Sequence, residues 1–289
     1  LSIHARVEKT GPKVLEDPSL VQLWGPRFSA YVVAESDIAV FTLGRLSDNP
    51  GSRRVAQDLA DRLRSLLGDE SMPYGEAGRR LGEHPNRLRY AAPTGTVLLR
   101  WDGARQPTIR SVPPPDMDPH EARLEMVRRY LHVFGPGTPE AFSAWAGVKP
   151  PAGSAAFEAL RSSLTPVRSP TGQGWILADD EGEMRLTPGA NAQTRLLPSG
   201  DAYFLLWGED RELLVPEADH RQLLWTPRVW PGAVLVDGEV VGTWRRAKNR
   251  VRIQTWSRLE RAAREAVVAE ATSLPLPDLH TEIVVDWPD

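Results

Sequence analysis

RRVAQDLADRLRSLLG, residues 53–68, opens the stretch that decides the fold; it continues through DESMPYGEAGRRLGEHPNRLRYAAPTG to TVLLRWDGARQPTIRSV at residue 112. Val55, Leu59, Leu63, Leu66 and Leu67 recur at helical spacing, so one face of a first helix is apolar, and Gly68 stops it. A short helix is expected at about 74–81, ended by Gly82. A third is expected at about 85–92, where Pro85 suits a first helical position. Two short β-prone runs then flank Asp102-Gly103, a turn pair. Three helices followed by a hairpin is the order of a winged helix.

The order recurs downstream of the proline-rich linker VPPPDMDP at 112–119. HEARLEMVRRYLHVFG is amphipathic. TPEAFSAWAG has clear ends, with Thr138 as N-cap, Pro139 in the first turn and Gly147 as terminator. A third helix is expected over about 153–163, and LTPVRSPTGQGWILAD supplies a hairpin around Gly172 and Gly174. Upstream, LSIHARV reads as a helical end and Phe28 to Val33 as a β run, the tail of a further copy. From about 193 the period changes to that of strands in TRLLPSGDAYFLLWG, AVLVDG, EVVGTWRR and NRVRIQTW, with Asp237-Gly238 as a two-residue hairpin signal. Ser257 and Glu260 make a capping box for a helix over about 258–272, and HTEIVVDW can return as a closing strand. The expected fold is therefore α+β: tandem winged-helix units and a small C-terminal antiparallel β domain. The boundaries are 1–50 for the remainder of a first unit, 51–115 for a second, 119–190 for a third and 191–289 for the β domain.

Composition bounds what such a chain can do. The 289 residues are 41% hydrophobic and 25% charged, enough apolar material for buried cores. No run approaches the roughly 18 apolar residues of a membrane helix, so a soluble, cytoplasmic protein is expected. The absence of cysteine excludes disulfides, thiolate metal sites and cysteine nucleophiles. The six histidines are scattered without ligand spacing, and no glycine-rich phosphate loop or nucleophile elbow occurs. No metal and no cofactor are therefore expected.

The formal net charge of -3 argues against nucleic acid as a partner, but its distribution argues for it. Residues 79–110 hold seven arginines against Glu83 and Asp102, and residues 240–256 hold five basic residues and no acid. The last 33 residues carry seven acids against three arginines and conceal this in the total. A third winged-helix helix enters the major groove and its wing reaches backbone or the next groove. Arg87 and Arg89, two apart, cannot share a helical face, so one is expected to read DNA while the other packs or pairs. Arg100 and Arg110 are expected across the wing from each other, with Arg105 near its tip. A solvated face with no ligand is the plain alternative. In GTWRRAKNRVRIQTW, Val251 and Ile253 alternate with Arg250 and Arg252, so a basic ribbon of Arg245, Arg246, Lys248, Arg250 and Arg252 is expected to lie along phosphates. Charge that keeps an edge strand soluble is the alternative there. Trp24, Trp145, Trp175 and Trp244 read as core, and Trp101 beside the wing turn could stack on a base.

FGPGTPEAFSAWAGV at 134–148, RLLPSGDAYFLLWGEDR at 195–211, VDGEVVGTWR at 236–245 and LWGPRFSAYVV at 23–33 together resemble the AlkZ-like winged-helix DNA glycosylases. In the last of these, Ser29 and Tyr31 replace the family's Thr-x-His step. The resemblance implies three tandem winged-helix units and a C-terminal antiparallel β-barrel on double-stranded DNA, hydrolysing the N-glycosidic bond of alkylated or crosslinked purines without a lyase step. A chain with several DNA-binding units has less need to dimerise, so a monomer is expected. An N7-alkylated purine is already a cationic leaving group, so the demand falls on a positioned water and on groups that stabilise an oxocarbenium-like sugar. In the family a Gln-apolar-Gln or Gln-apolar-Asp motif does this. None of the seven glutamines here is followed two residues later by Gln or Asp. By register the motif is expected just before Leu1, so no catalytic residue is assigned. A non-catalytic winged-helix regulator fits the helices and hairpins equally well.

Overall fold

The computed structural model describes residues 1–101, 106–186, 193–206, 208, 210–276 and 281–288. The chain divides into two compact units, Leu15–Arg185 and a second that joins Leu1–Val14 to Leu186–Asp289. No helix among the described residues is long and apolar enough to cross a membrane.

The Leu15–Arg185 unit begins with a hairpin of β1 (Leu20–Trp24) and β2 (Ala30–Ala34), followed by the short helix α1 (Ile38–Thr42). Helix α2 (Pro50–Leu67) starts where Asn49 accepts a hydrogen bond from the Ser52 N–H and ends at Gly68, whose φ of 53° is left-handed. Next come β3 (Ser71–Pro73), α3 (Tyr74–Leu81), β4 (Val97–Arg100) and β5 (Thr108–Ser111). The five strands form one antiparallel sheet in the order β2-β1-β4-β5-β3. Leu59, Leu63 and Leu67 of α2 enter a core with Leu88, Val97 and Ile109. Burial of each such side chain contributes roughly 1.5–3 kcal/mol. Val55, expected on that face, is instead exposed.

The expected third helix is a 3₁₀ segment, Pro85–Thr94, and not an α-helix. Pro93 accounts for much of this, because it has no N–H to give an α-turn and its ring would meet the carbonyl four residues back. Leu88, Ala91 and Ala92 still reach the core.

Helices α4 (Pro119–Phe134), α5 (Pro139–Ala146) and α6 (Pro150–Ala159) precede a second hairpin, β6 (Leu164–Ser169) with β7 (Gly172–Leu177), and the single turn α7 (Glu181–Met184). Tyr130, Phe142, Trp145 and Phe157 stack in their core, with ring centroids 5.1 to 6.2 Å apart. Arg123 of α4 is buried and fixes the segment before α2. Its Nε donates to Gly44 O at 3.0 Å, its Nη2 to Leu46 O at 2.6 Å, and its Nη1 pairs with Asp48 at 2.9 Å.

The other unit carries β8 (Arg195–Leu197), α8 (Asp210–Leu214), α9 (Ala218–Leu224), β9 (Gly232–Val236), β10 (Glu239–Ala247), β11 (Arg250–Thr255), α10 (Arg261–Ser273) and β12 (Val284–Asp286). Its sheet runs β12-β11-β10-β9-β8. Two expectations are corrected here. The sheet is open among the described residues and no closed barrel is formed, and the last strand, β12, pairs in parallel with β11. A parallel return is possible because α10 provides the crossover. That helix begins at Arg261 behind Glu260, with no side-chain cap, so the expected capping box is not made. Among the described residues of TRLLPSGDAYFLLWG only Arg195–Leu197 is strand, since Asp201 turns Ala202–Phe204 into a 3₁₀ turn by accepting from the Tyr203 N–H. Leu1–Val14 joins this unit through Ala5 in its core and a two-pronged Arg6–Asp201 pair at 2.6 and 3.0 Å.

Candidate nucleic-acid interface

The expected basic residues within the described chain can now be placed. On the Pro85–Thr94 segment, Arg87 is exposed and pairs with Glu83 at 3.1 Å. Glu83 also takes Arg62 at 3.0 Å, so one carboxylate serves two guanidinium groups. Arg89 turns inward, its Cζ 5.5 Å from the centres of both the Phe28 and the Tyr90 rings. It has no ion-pair partner among the described residues, and its buried Nε makes no hydrogen bond.

Arg100 and Arg110 do not face each other across the β4–β5 hairpin. Arg100 opposes Thr108, and Arg110 opposes Leu98, because the register is set by Leu99 against Ile109 in the core. Arg100 donates to the Leu15 carbonyl, whereas Arg110 is exposed and without an ion-pair partner among the described residues. Arg105 lies outside the described residues, with the turn 102–104. Trp101 is exposed, its N–H held by Gln22 Oε1 at 2.7 Å.

The β10–β11 ribbon has the expected alternation, with Val251 and Ile253 buried and Arg250 and Arg252 exposed. Across the ladder Arg252 opposes Arg245, and Arg250 opposes Ala247. Arg245 donates Nη2 to Val229 O at 3.0 Å, and Arg246 donates Nε to Lys248 O at 2.7 Å. The parallel strand β12 brings in an acid that reading the hairpin alone misses: Asp286 pairs with Arg250 at 3.1 Å. Arg245, Arg246, Lys248 and Arg252 keep no carboxylate partner among the described residues. The ribbon thus presents four exposed cations with no carboxylate within ion-pair distance among the described residues, although the register sets Asp286 of β12 opposite Arg252.

One group of residues was not found by sequence reasoning. In the Leu15–Arg185 unit, Phe28, Arg45, Gly51, Ser52, Val55 and Tyr90 are among those that line a cavity of about 540 Å³. Phe28 reaches it from the β1–β2 turn, where Arg27 and Phe28 both have left-handed backbone, with φ of 54° and 59°. Tyr90 meets the Phe28 ring edge-on at 5.1 Å, and the Arg45 Cζ stands 4.7 Å from its centre. Arg45 is 6% exposed. Its Nε donates to Ala146 O at 3.0 Å and its Nη1 to Trp24 O at 2.8 Å. Burial holds its pKa down at about 10, and burial likewise raises that of neighbouring Tyr31 to about 12 against the pull of Arg27 and Arg45. The signal in the sequence was a single arginine in the apolar run IAVFTLGRL, 38–46.

A family model described as DNA glycosylase AlkZ-like matches residues 1–275. An interstrand DNA cross-link repair glycosylase of Streptomyces sahachiroi is 28% identical over 221 residues, which are 74% of this chain and 55% of that protein. The chain therefore spans about half the length of the curated relative it matches. The solved structure of Streptomyces sahachiroi DNA glycosylase AlkZ has a similar fold, with a TM-score of 0.72 at 18% identity over 95% of this chain and 83% of that one. With the family model matched from Leu1 to residue 275, the chain belongs to the AlkZ-like DNA glycosylase family.

Proposed function

We propose that the protein is a monofunctional DNA glycosylase that binds duplex DNA as a monomer and hydrolyses the N-glycosidic bond of alkylated or crosslinked purines. The observation that carries this is the family match across 1–275, joined by a relative named for crosslink repair. That match favours it over the regulator that helices and hairpins alone would allow.

The reading includes winged-helix units over 51–115 and 119–190, with the stretch ending at residue 50 as the remainder of a first. It is supported by the succession α2, β3, α3, the Pro85–Thr94 turns and the β4–β5 hairpin, with β3 paired against β5. A matching succession follows in α4, α5, α6 and the β6–β7 hairpin, where Gly137 makes the equivalent bridge to Trp175. Arg87, Arg89, Arg100, Arg105 and Arg110 are proposed to hold DNA on the first of these, and Arg245, Arg246, Lys248, Arg250 and Arg252 on the ribbon. Phosphate contacts of this kind fix register and orientation, while the bond to be broken is weakened by the positive charge of the lesion itself. No residue of this chain is assigned to the chemical step.

The test is release of 7-methylguanine from methylated duplex DNA. Release above spontaneous depurination is expected. Release no faster than that, with tight binding to a single operator-like sequence, would replace the proposal with a regulator.

A further inference from the structure

Arg45 poses a problem of charge. Its guanidinium is more than nine-tenths buried, yet no carboxylate forms an ion pair with it among the described residues. The carbonyls of Ala146 and Trp24 satisfy Nε and Nη1 without neutralising them, and Nη2 makes no hydrogen bond among the described residues. The nearest acid in sequence, Asp48, is taken by Arg123 and Arg53. Arg89 stands by the same Phe28 ring, also without an acid. A buried cation is ordinarily paired, because desolvation penalises it otherwise. Here the cation without a carboxylate partner belongs to a residue lining a cavity.

The lining includes a second positive group. Gly51 and Ser52 line the cavity at the start of the 18-residue helix α2. Asn49 satisfies the Ser52 N–H, while the Gly51 N–H makes no hydrogen bond among the described residues. The positive end of the helix dipole and an N–H without a partner among the described residues therefore line the same cavity as Arg45. Phe28, Val55 and Pro93 give it apolar walls, and its volume takes an oxyanion with a sugar attached.

We propose that this cavity is a phosphate-binding site, seating an oxyanion between the Arg45 guanidinium and the N-terminus of α2. Identifying that oxyanion as a phosphate of the DNA backbone rests on the glycosylase reading. A free phosphate or nucleotide has the same chemistry and is the source to be distinguished from it.

Ser52→Asp is the informative variant. An acid at the third helical position suits the helix dipole, so the protein should melt at or above the wild-type temperature, while the new carboxylate occupies the site. Duplex affinity at low salt should fall about tenfold, the size of one lost charge-assisted contact. The salt slope should become shallower by about 0.9, one phosphate's share. Arg45→Met should act in the same direction, and Arg45→Lys should restore part of the loss. In a second arm, inorganic phosphate should raise the melting temperature of the wild type but not of Ser52→Asp. In a third, duplexes bearing single methylphosphonate linkages are compared. A linkage that weakens the wild type and leaves Ser52→Asp unaffected identifies the DNA backbone as the source. If phosphate protects the wild type and no linkage discriminates, the backbone assignment is overturned and a free phosphate ligand is identified. Wild-type affinity and slope in a folded Ser52→Asp, with no phosphate protection of either protein, would overturn the site. A wild-type protein that is protected by phosphate but does not bind duplex would overturn the glycosylase reading and leave the oxyanion site standing.

Discussion

Replacing Arg252 by Ser separates a working phosphate contact from a merely solubilising charge. Arg252 is exposed on β11 and has no acid partner among the described residues, whereas its neighbour Arg250 is tied to Asp286 at 3.1 Å. Both residues of that pair are about half exposed, so it stabilises the fold by no more than about 1 kcal/mol, and changes here leave the protein folded. If Arg252 neutralises one phosphate, its loss reduces the slope of log K against log salt by about 0.9. Over a fourfold change from about 50 to about 200 mM salt, the wild type should then lose about 3.5 times more affinity than the variant. Arg250→Ser should change the slope less, because Asp286 already competes for that guanidinium. Asp286→Asn should steepen it by up to about 0.9, by releasing Arg250. Fluorescence anisotropy with a labelled duplex over a salt series reads all three. A slope for Arg252→Ser equal to that of the wild type would refute the argument and leave the ribbon as a protected sheet edge.

Three further outcomes follow from the packing. Burial raises the Asp48 carboxyl, but the hydrogen bonds and charges of Arg123 and Arg53 outweigh it and hold the group below the usual range. Its contribution to stability is therefore present above the unfolded value of about 3.9 and lost as pH falls through the folded one, so Asp48→Asn should be destabilised near neutrality and match the wild type in acid, as urea titrations at both ends will show. Trp244→Phe removes the hydrogen bond that the indole Nε1 donates to the Leu197 carbonyl at 2.8 Å and should cost about 0.5–1.5 kcal/mol in the same assay. Gly153→Ala and Gly182→Ala should differ in sign: a Cβ at Gly153 meets the Ser143 hydroxyl and the Pro139 carbonyl, the latter at 3.0 Å, and costs about 1–3 kcal/mol, while at Gly182 nothing lies within 4 Å and helix propensity gains about 0.5–1 kcal/mol.

What could be read in the sequence is what local chemistry determines. Thr138, Pro139 and Gly147 delimit α5 as expected: Thr138 Oγ1 accepts from the Ala141 N–H at 3.1 Å, and Gly147 takes a φ of 74°. The Asp237-Gly238 turn is equally local, with both residues at positive φ. Illegible features depend on distant partners. The strand pattern after Thr194 fails at Asp201 because that carboxylate is held by Arg6, 195 positions away. The acid on the ribbon arrives by a parallel crossover, which spacing along β10 and β11 cannot reveal. The cavity needs Phe28, Arg45 and Tyr90 to converge from three segments, and the only local trace is a charge among apolar residues.

The same contrast explains why the net charge of -3 misleads. On helices, an acid four residues away falls beside an arginine, and Arg80 with Glu76, Arg129 with Glu125, Arg185 with Glu181 and Arg261 with Glu265 are all paired in this way. On the ribbon, the residue opposite Arg252 is Arg245, so two like charges face each other across the ladder. Such a pair destabilises a sheet by something like a few tenths of a kcal/mol, and Asp286, opposite Arg252 on its other side, offsets it. Arg252→Ser should therefore bind DNA less well with its urea midpoint unchanged, a separation of binding from stability that a charge serving only the sheet would not produce. Loss of both together would mean that the guanidinium serves the sheet and not a ligand.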